Sequence, residues 1–314
     1  MNILSDINAA ALADPIGLIA AAEEAYDNEL NRVVEQVLAA GHIKIILLAG
    51  PSGSGKTTTA HILRDKLTCR GHKAQVVSLD HFYLAAEKMP RQENGQPDFE
   101  TVYSLDIPEI HRVFSELITI GATTMPTFDF KAKKRGTSHP IDISDNGLLI
   151  VEGLHALNPI LTDRLAADCL FKIYISANQK IYDDEGKTVL SSRQIRLVRR
   201  MSRDFIYRNT TAPETLRLWT AVVAGEEKYL YCYKDTADVL LKTFHSFEPC
   251  IFRNIILDLL QGLDPLTDNY EYVMRVKRGL AQFVPLEASL VPETSLIREF
   301  IEGGVYNDCC LFKR

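Results

Sequence analysis

The chain has 314 residues, 46% of them hydrophobic and 24% charged, with a formal net charge of −6. That length holds one large α/β domain or a domain with an appendage, and the composition is that of a globule with a sizeable core. The acidic balance argues against a nucleic-acid partner or a membrane surface, while a local basic groove stays compatible with it. Six cysteines at 69, 169, 232, 250, 309 and 310 make no C-x-x-C spacing, as expected of free thiols in a reducing compartment. There is no apolar run of bilayer length and no basic-then-apolar N-terminus, so the expected location is cytoplasmic.

In chain order, residues 1–41 read as helix, with Asp14-Pro15 as an N-cap and first-turn proline and Gly41 as a stop. Residues 43–49 are a short apolar run, as a buried parallel strand should be. Next, Gly50-Pro51-Ser52-Gly53-Ser54-Gly55-Lys56-Thr57 spells G-x-x-x-x-G-K-S/T. Its glycines let backbone N–H groups turn inward around phosphate oxygens; Lys56 supplies a charge to the β/γ-phosphates and Thr57 a hydroxyl to Mg²⁺. Apolar residues at helical spacing follow from Thr58, which places the loop at a helix N-terminus whose dipole favours anions.

A second strand is expected over 74–80, ending in Asp80, then a loop over 84–99 and an amphipathic helix over 107–120. Residues 124–130 read as an exposed strand. Further core strands fall at 148–153, with Glu152 at the carboxyl end, at 170–175 and at 237–241. From about 244 the pattern becomes helical, over 251–262, 270–284 and 294–302. Alternating strands and helices predict a doubly wound, mostly parallel sheet with a helical segment at each end. The boundaries are 1–42, a phosphate-loop domain over 43–243 with a lid around 191–210, and an extension over 244–314.

In such sheets ligands collect beyond the carboxyl ends of the strands, where Gly50, Asp80 and Glu152 all fall. Asp80 can take the proton of an acceptor hydroxyl and help to hold a metal, or it is a solvated cap. Glu152, an acid on an apolar strand, can face Mg²⁺ or pair with an arginine. Arg193, Arg196, Arg199, Arg200, Arg203 and Arg208 lie on one predicted helix, with 196, 199, 200 and 203 on one face. Such a face can neutralise charge in phosphoryl transfer, or be a solvated face paired with Asp183, Asp184 and Asp204. Phe82, Tyr83, Phe99, Phe128 and Phe130 are core residues or stacking partners for a base. His81 and His155 have no partner at metal-ligand spacing, and the basic run at Lys131, Lys133, Lys134 and Arg135 reads as a solvated loop.

Together with the phosphate loop, Ser78-Leu79-Asp80-His81-Phe82-Tyr83, Asp98-Phe99-Glu100, Thr127-Phe128-Asp129-Phe130, Val151-Glu152-Gly153 and Arg199-Arg200-Met201-Ser202-Arg203-Asp204 resemble the uridine kinase/phosphoribulokinase family of P-loop kinases. Leu154-His155-Ala156-Leu157-Asn158-Pro159 and the tail through Ser295-Leu296-Ile297-Arg298-Glu299-Phe300-Ile301 resemble its longer bacterial nucleoside kinases, whose N-terminal synthetase-like module has no counterpart here. The resemblance implies the P-loop NTPase fold. It implies ATP on Gly50, Ser52, Gly53, Ser54, Gly55, Lys56, Thr57 and Thr58, with Mg²⁺ near Thr57, Glu152 and Asp80. It further implies Asp80 at the acceptor 5′-hydroxyl, Tyr83 and Phe99 along a nucleoside pocket, Glu100 on the ribose hydroxyls, and Arg200, Arg203 and Arg208 as lid and substrate arginines. Phe128 stands where the family usually has Tyr, Lys133 where it has a base-reading His, and Thr210 in place of an arginine. Those departures relax discrimination of the base.

The expected function is ATP- and Mg²⁺-dependent phosphorylation of a nucleoside hydroxyl, uridine foremost, by an enzyme whose partner is a small molecule. The sequence leaves a homo-oligomer open. Two rivals remain: the same machinery acting on another hydroxyl metabolite, such as pantothenate or a sugar, and a nucleotide-sensing module with little turnover.

Overall fold

The computed structural model describes residues 2–92, 95–129, 132, 134–144 and 147–307, so Phe130 and Lys133 lie outside the described residues. Five strands build the central sheet: β1 (Ile45–Ala49), β2 (Ala74–Ser78), β3 (Leu148–Glu152), β4 (Leu170–Ser176) and β5 (Val239–Lys242). Their order is β5-β4-β1-β3-β2, and every neighbouring pair is parallel. All residues of β1 and β3 are buried. That is why these strands read as unbroken apolar runs rather than alternating ones: helices cover both faces.

The helices are α1 (Leu4–Ala13), α2 (Pro15–Ala40), α3 (Lys56–Cys69), α4 (Ile107–Thr119), α5 (Ser192–Arg208), α6 (Ala212–Tyr229), α7 (Glu248–Leu259) and α8 (Tyr270–Leu280). On one face of the sheet, Ile45, Leu47, Leu149 and Val151 meet Ile110, Val113, Phe114 and Leu117 of α4. On the other, Ile46, Leu48, Ile150 and Ile173 join one continuous core with Leu30 and Val33 of α2, Leu63 of α3, Phe252 and Ile256 of α7, and Val273 of α8. Leu296, Ile297 and Phe300 belong to that same core, so the C-terminal residues pack beside the phosphate-loop helix.

Several elements differ from expectation, each for a local reason. Residues 1–41 are not one helix. Asn2–Ile3 pairs in parallel with Ile181–Tyr182, and a break at Asp14 separates α1 from α2. Pro15 keeps the preceding residue out of helical geometry, and the Asp14 carboxylate accepts the Gly17 N–H at 2.9 Å to start α2. Gly41 ends α2 at φ 69°, as its residue type suggested. β2 stops at Ser78, and Asp80 sits in a 3₁₀ turn, Leu79–Phe82, where Ser78 Oγ accepts the Asp80 N–H at 3.3 Å. The exposed strand over 124–130 splits around Pro126: Ala122–Met125 pairs with His139–Asp142 and Phe128–Asp129 with Lys134–Arg135. The expected helix over 294–302 is the 3₁₀ turn Leu296–Phe300, opened by Ser295 Oγ accepting from Ile297 N at 3.1 Å. Among the described residues no helix is long and apolar enough to cross a membrane.

Candidate active site

The phosphate loop leaves the carboxyl end of β1 and runs into α3, whose N-terminal residue is Lys56. Gly53 and Gly55 adopt φ of 74° and 86°, where side chains are strained. A Cβ on Gly53 would also lie 2.7 Å from the Arg196 carbonyl, so the loop is pressed against α5. Lys56 Nζ donates to the Pro51 carbonyl at 3.1 Å, and Arg200 Nη1 donates to Ser52 Oγ at 2.9 Å. Two loop hydroxyls, Ser54 Oγ and Thr58 Oγ1, are buried without a hydrogen-bond partner.

A cavity of about 260 Å³ opens beyond the strand ends. Ser52, Gly53, Gly55, Lys56 and Thr57 line its floor, Asp80 and Glu152 the strand-end side, Tyr83, Phe99 and Glu100 the far wall, and Arg200, Arg203 and Arg208 the α5 side. Ser78 and Glu152 face each other across β2 and β3. Burial drives the Glu152 carboxyl up, while Lys56 and hydrogen bonds from Ser78 and Thr57 oppose it. Burial likewise pushes Lys56 down, against the pull of Glu152 and Glu299. Such opposed, buried charges are the signature of a site that awaits a charged ligand. Glu100 is raised by burial to about 7, with Arg200 as the largest opposing influence.

The arginine run does not act as one face. Arg193 points outward to Glu227 at 2.7 Å, with both side chains about half exposed. Arg196 is buried, pairs with Glu226 at 2.7 Å and lies over the Trp219 ring. Arg199 is fully buried: it binds Glu248 at 2.6 Å, the Thr243 carbonyl at 2.6 Å and the Gly53 carbonyl at 3.2 Å. Arg200, Arg203 and Arg208 turn to the cavity and share one carboxylate, Asp204, at 3.2, 3.6 and 2.9 Å. Of the three expected acids Asp204 pairs with the α5 arginines, whereas Asp183 Oδ1 accepts from the Glu185 and Lys187 N–H groups and Asp184 accepts from Ser5 Oγ. Arg203 also pairs with Glu299, and burial with neighbouring Arg203 lowers Arg208 to about 9.

Of the expected aromatic cluster, Tyr83 and Phe99 reach the cavity and stack edge to face at 5.6 Å. Phe82 is core, and Phe128 lies behind Tyr83, ring centroids 5.8 Å apart, rather than on the cavity wall. Gly50, Ser54 and Thr58 belong to the loop but sit below the lining. His155 is buried against Tyr229 and held near 4, so it is neutral.

Two carboxylates were not among the residues expected from sequence. Glu226 on α6 accepts the Ser52 N–H at 2.7 Å, and Glu299 of the C-terminal turn accepts the Thr58 N–H at 3.3 Å and pairs with Arg203 at 3.4 Å. The signal was present in principle: six arginines on one helix, several of them buried, require buried acids elsewhere.

For a hard cation the donor set at Thr57, Asp80 and Glu152 is all oxygen, two carboxylates and a hydroxyl around one cavity. This suits Mg²⁺, which takes one or two carboxylates and completes its shell with water and phosphate. Among the described residues no cluster of three or more His, Cys, Asp or Glu could hold a metal unaided.

The uridine kinase of Staphylococcus aureus (strain JH9) is 25% identical over 199 residues, 63% of this chain and 86% of that protein. A possible uridine kinase from Bacillus stearothermophilus aligns in structure with a TM-score of 0.40 at 20% identity, over 47% of this chain and 79% of the other. The D-glycerate 3-kinase of Cryptococcus neoformans var. grubii serotype A aligns at 0.36 and 15% identity, over 81% and 87%. A family model described as the Phosphoribulokinase / Uridine kinase family matches residues 45–246, which spans the sheet from β1 to β5 and all of α5. The chain belongs to the phosphoribulokinase/uridine kinase family.

Proposed function

We propose that this kinase transfers the γ-phosphoryl group of ATP, with Mg²⁺, to a hydroxyl of a nucleoside such as uridine. The observation that carries the reading is the meeting of Asp80 and Glu152 with Lys56 and Thr57 in one cavity. Thr57 and Glu152, with Asp80 beside them, would hold Mg²⁺, which would offset phosphate charge when bound.

The remaining chemistry belongs to the chain itself. Phosphoryl transfer asks mainly for alignment and charge neutralisation. Loop N–H groups and Lys56 hold the donor phosphates, while Arg200, Arg203 and Arg208 face the same space. Asp80 orients the acceptor hydroxyl and takes its proton. Tyr83 and Phe99 supply a flat apolar wall for a ring, and Glu100 can accept hydrogen bonds from two vicinal hydroxyls.

An acceptor panel with ATP, read by mass spectrometry, tests the substrate class. Nucleosides should consume ATP, and sugars, glycerate and pantothenate should not. The base assignment stands on Asp80→Asn, which should lower kcat about 10²- to 10⁴-fold with ATP binding retained. Wild-type turnover in that variant would remove Asp80 from the mechanism.

A further inference from the structure

The C-terminal turn Leu296–Phe300 brings a carboxylate to the phosphate loop across 241 residues of sequence. Glu299 is 2% exposed; its Oε2 accepts from Thr58 N at 3.3 Å and its Oε1 faces Arg203 Nη1 at 3.4 Å. The turn is seated firmly. Ser202 Oγ donates to the Phe300 carbonyl at 2.7 Å, and Tyr207 donates to the Ile301 carbonyl at 2.7 Å. Ser295 Oγ reaches Glu23 of α2 at 2.5 Å, and the Phe300 ring lies under the Arg199 guanidinium at 5.1 Å. Leu296 packs so closely that a Cβ on Gly55 would be 2.7 Å from its Cδ1.

Backbone N–H groups at this end of a phosphate loop hold donor phosphate oxygens. Here one of them holds a side-chain carboxylate instead. The substitution is incomplete, because Thr58 Oγ1, 1% exposed as a residue, has no hydrogen-bond partner. A phosphate brings three acceptor oxygens and would satisfy both the Thr58 N–H and its hydroxyl. A phosphate oxygen and the Glu299 carboxylate cannot share that N–H, since two anions at hydrogen-bond distance from one donor repel strongly.

We infer that Glu299 is a residue of the donor site, an internal anion that stands where a donor phosphate oxygen binds and that the donor must displace. This rests on the phosphate-loop reading proposed above. Before a donor binds, the carboxylate satisfies Thr58 N–H and balances Arg203. On donor binding both groups turn to phosphate, and the lost contacts are subtracted from donor affinity. The C-terminal residues thereby set how tightly the donor is held.

The test compares wild type with Glu299→Gln, which keeps the shape and removes the charge. Calorimetric titration uses the magnesium complex of a non-hydrolysable ATP analogue and, separately, inorganic tripolyphosphate. Both should bind the variant about tenfold more tightly, the worth of one charge-assisted hydrogen bond. In the wild type, hydrogen exchange at amides 296–301 should quicken when the analogue binds, and this second measurement decides the matter should the variant fail to fold. Unchanged or weaker binding by folded Glu299→Gln, or slower exchange in the tail, overturns the inference and makes Glu299 a clamp on the bound donor. Binding of neither probe by wild type and variant alike would instead overturn the phosphate-loop reading, and the inference with it.

Discussion

Arg196 and Arg199 on one side of α5, and Arg200, Arg203 and Arg208 on the other, come from a single basic run, yet they have opposite relations to their acids. Each buried arginine has its own carboxylate, Glu226 or Glu248, and further hydrogen bonds that fix it. The three at the cavity share Asp204. A private acid makes an arginine part of the scaffold. A shared one leaves an arginine freer to turn to a ligand, although Arg203 also meets Glu299. Removing a scaffold arginine therefore strands a buried carboxylate, whereas removing Arg200 or Arg208 leaves Asp204 with the other cavity arginines.

The sharpest break of that contrast is Arg203→Ala. It should lower kcat about 10³-fold, as expected for loss of an arginine that neutralises transferring phosphate; Asp204 keeps Arg200 and Arg208, while Glu299 loses its pair. A variant that melts early and turns over normally would place Arg203 with the scaffold. Next in size, Arg199→Met should cost about 3–5 kcal/mol of stability, measured by denaturant unfolding. Adding Glu248→Leu should recover much of the loss, because no charge is then stranded.

A pH effect sharpens the cavity side. Glu100 is raised to about 7, so below that pH it is protonated and a poorer acceptor for vicinal hydroxyls. Acceptor kcat/KM should fall about tenfold per pH unit below 7, and Glu100→Gln should abolish this limb of the profile. The sign for stability is the reverse. An acid raised by folding binds more protons folded than unfolded, so this group's contribution is fullest at low pH and declines as pH rises from 4.5 through about 7. The smallest effect belongs to Arg193→Ala: an exposed pair with Glu227 should be worth under about 0.5 kcal/mol, with unchanged kinetics.

Much of this was legible in the chain. The strands were readable because a doubly covered parallel sheet demands continuous apolar runs, and the helix ends because Asp14, Pro15 and Gly41 have local reasons to stand where they do. Asp80, Glu152 and the phosphate loop were readable together, since each lies at a strand's carboxyl end. The fate of the arginines was not. Helical periodicity puts 196, 199, 200 and 203 within one arc, and only the tertiary neighbours of α5 divide that arc between acids and cavity. Glu226 and Glu299 were illegible for the same reason: they meet Ser52 and Thr58 from 174 and 241 residues away. The tail that holds Glu299 carries a family resemblance, but nothing in either local sequence marks these partners.

The Gly53–α5 contact has a mechanical consequence. The Gly53 carbonyl is bound by Arg199, and a Cβ at Gly53 would press on the Arg196 carbonyl, so the loop and the middle of α5 are packed together. A displacement of α5 alone would break the hydrogen bond from Arg199 to the Gly53 carbonyl and unseat the loop from its neighbour.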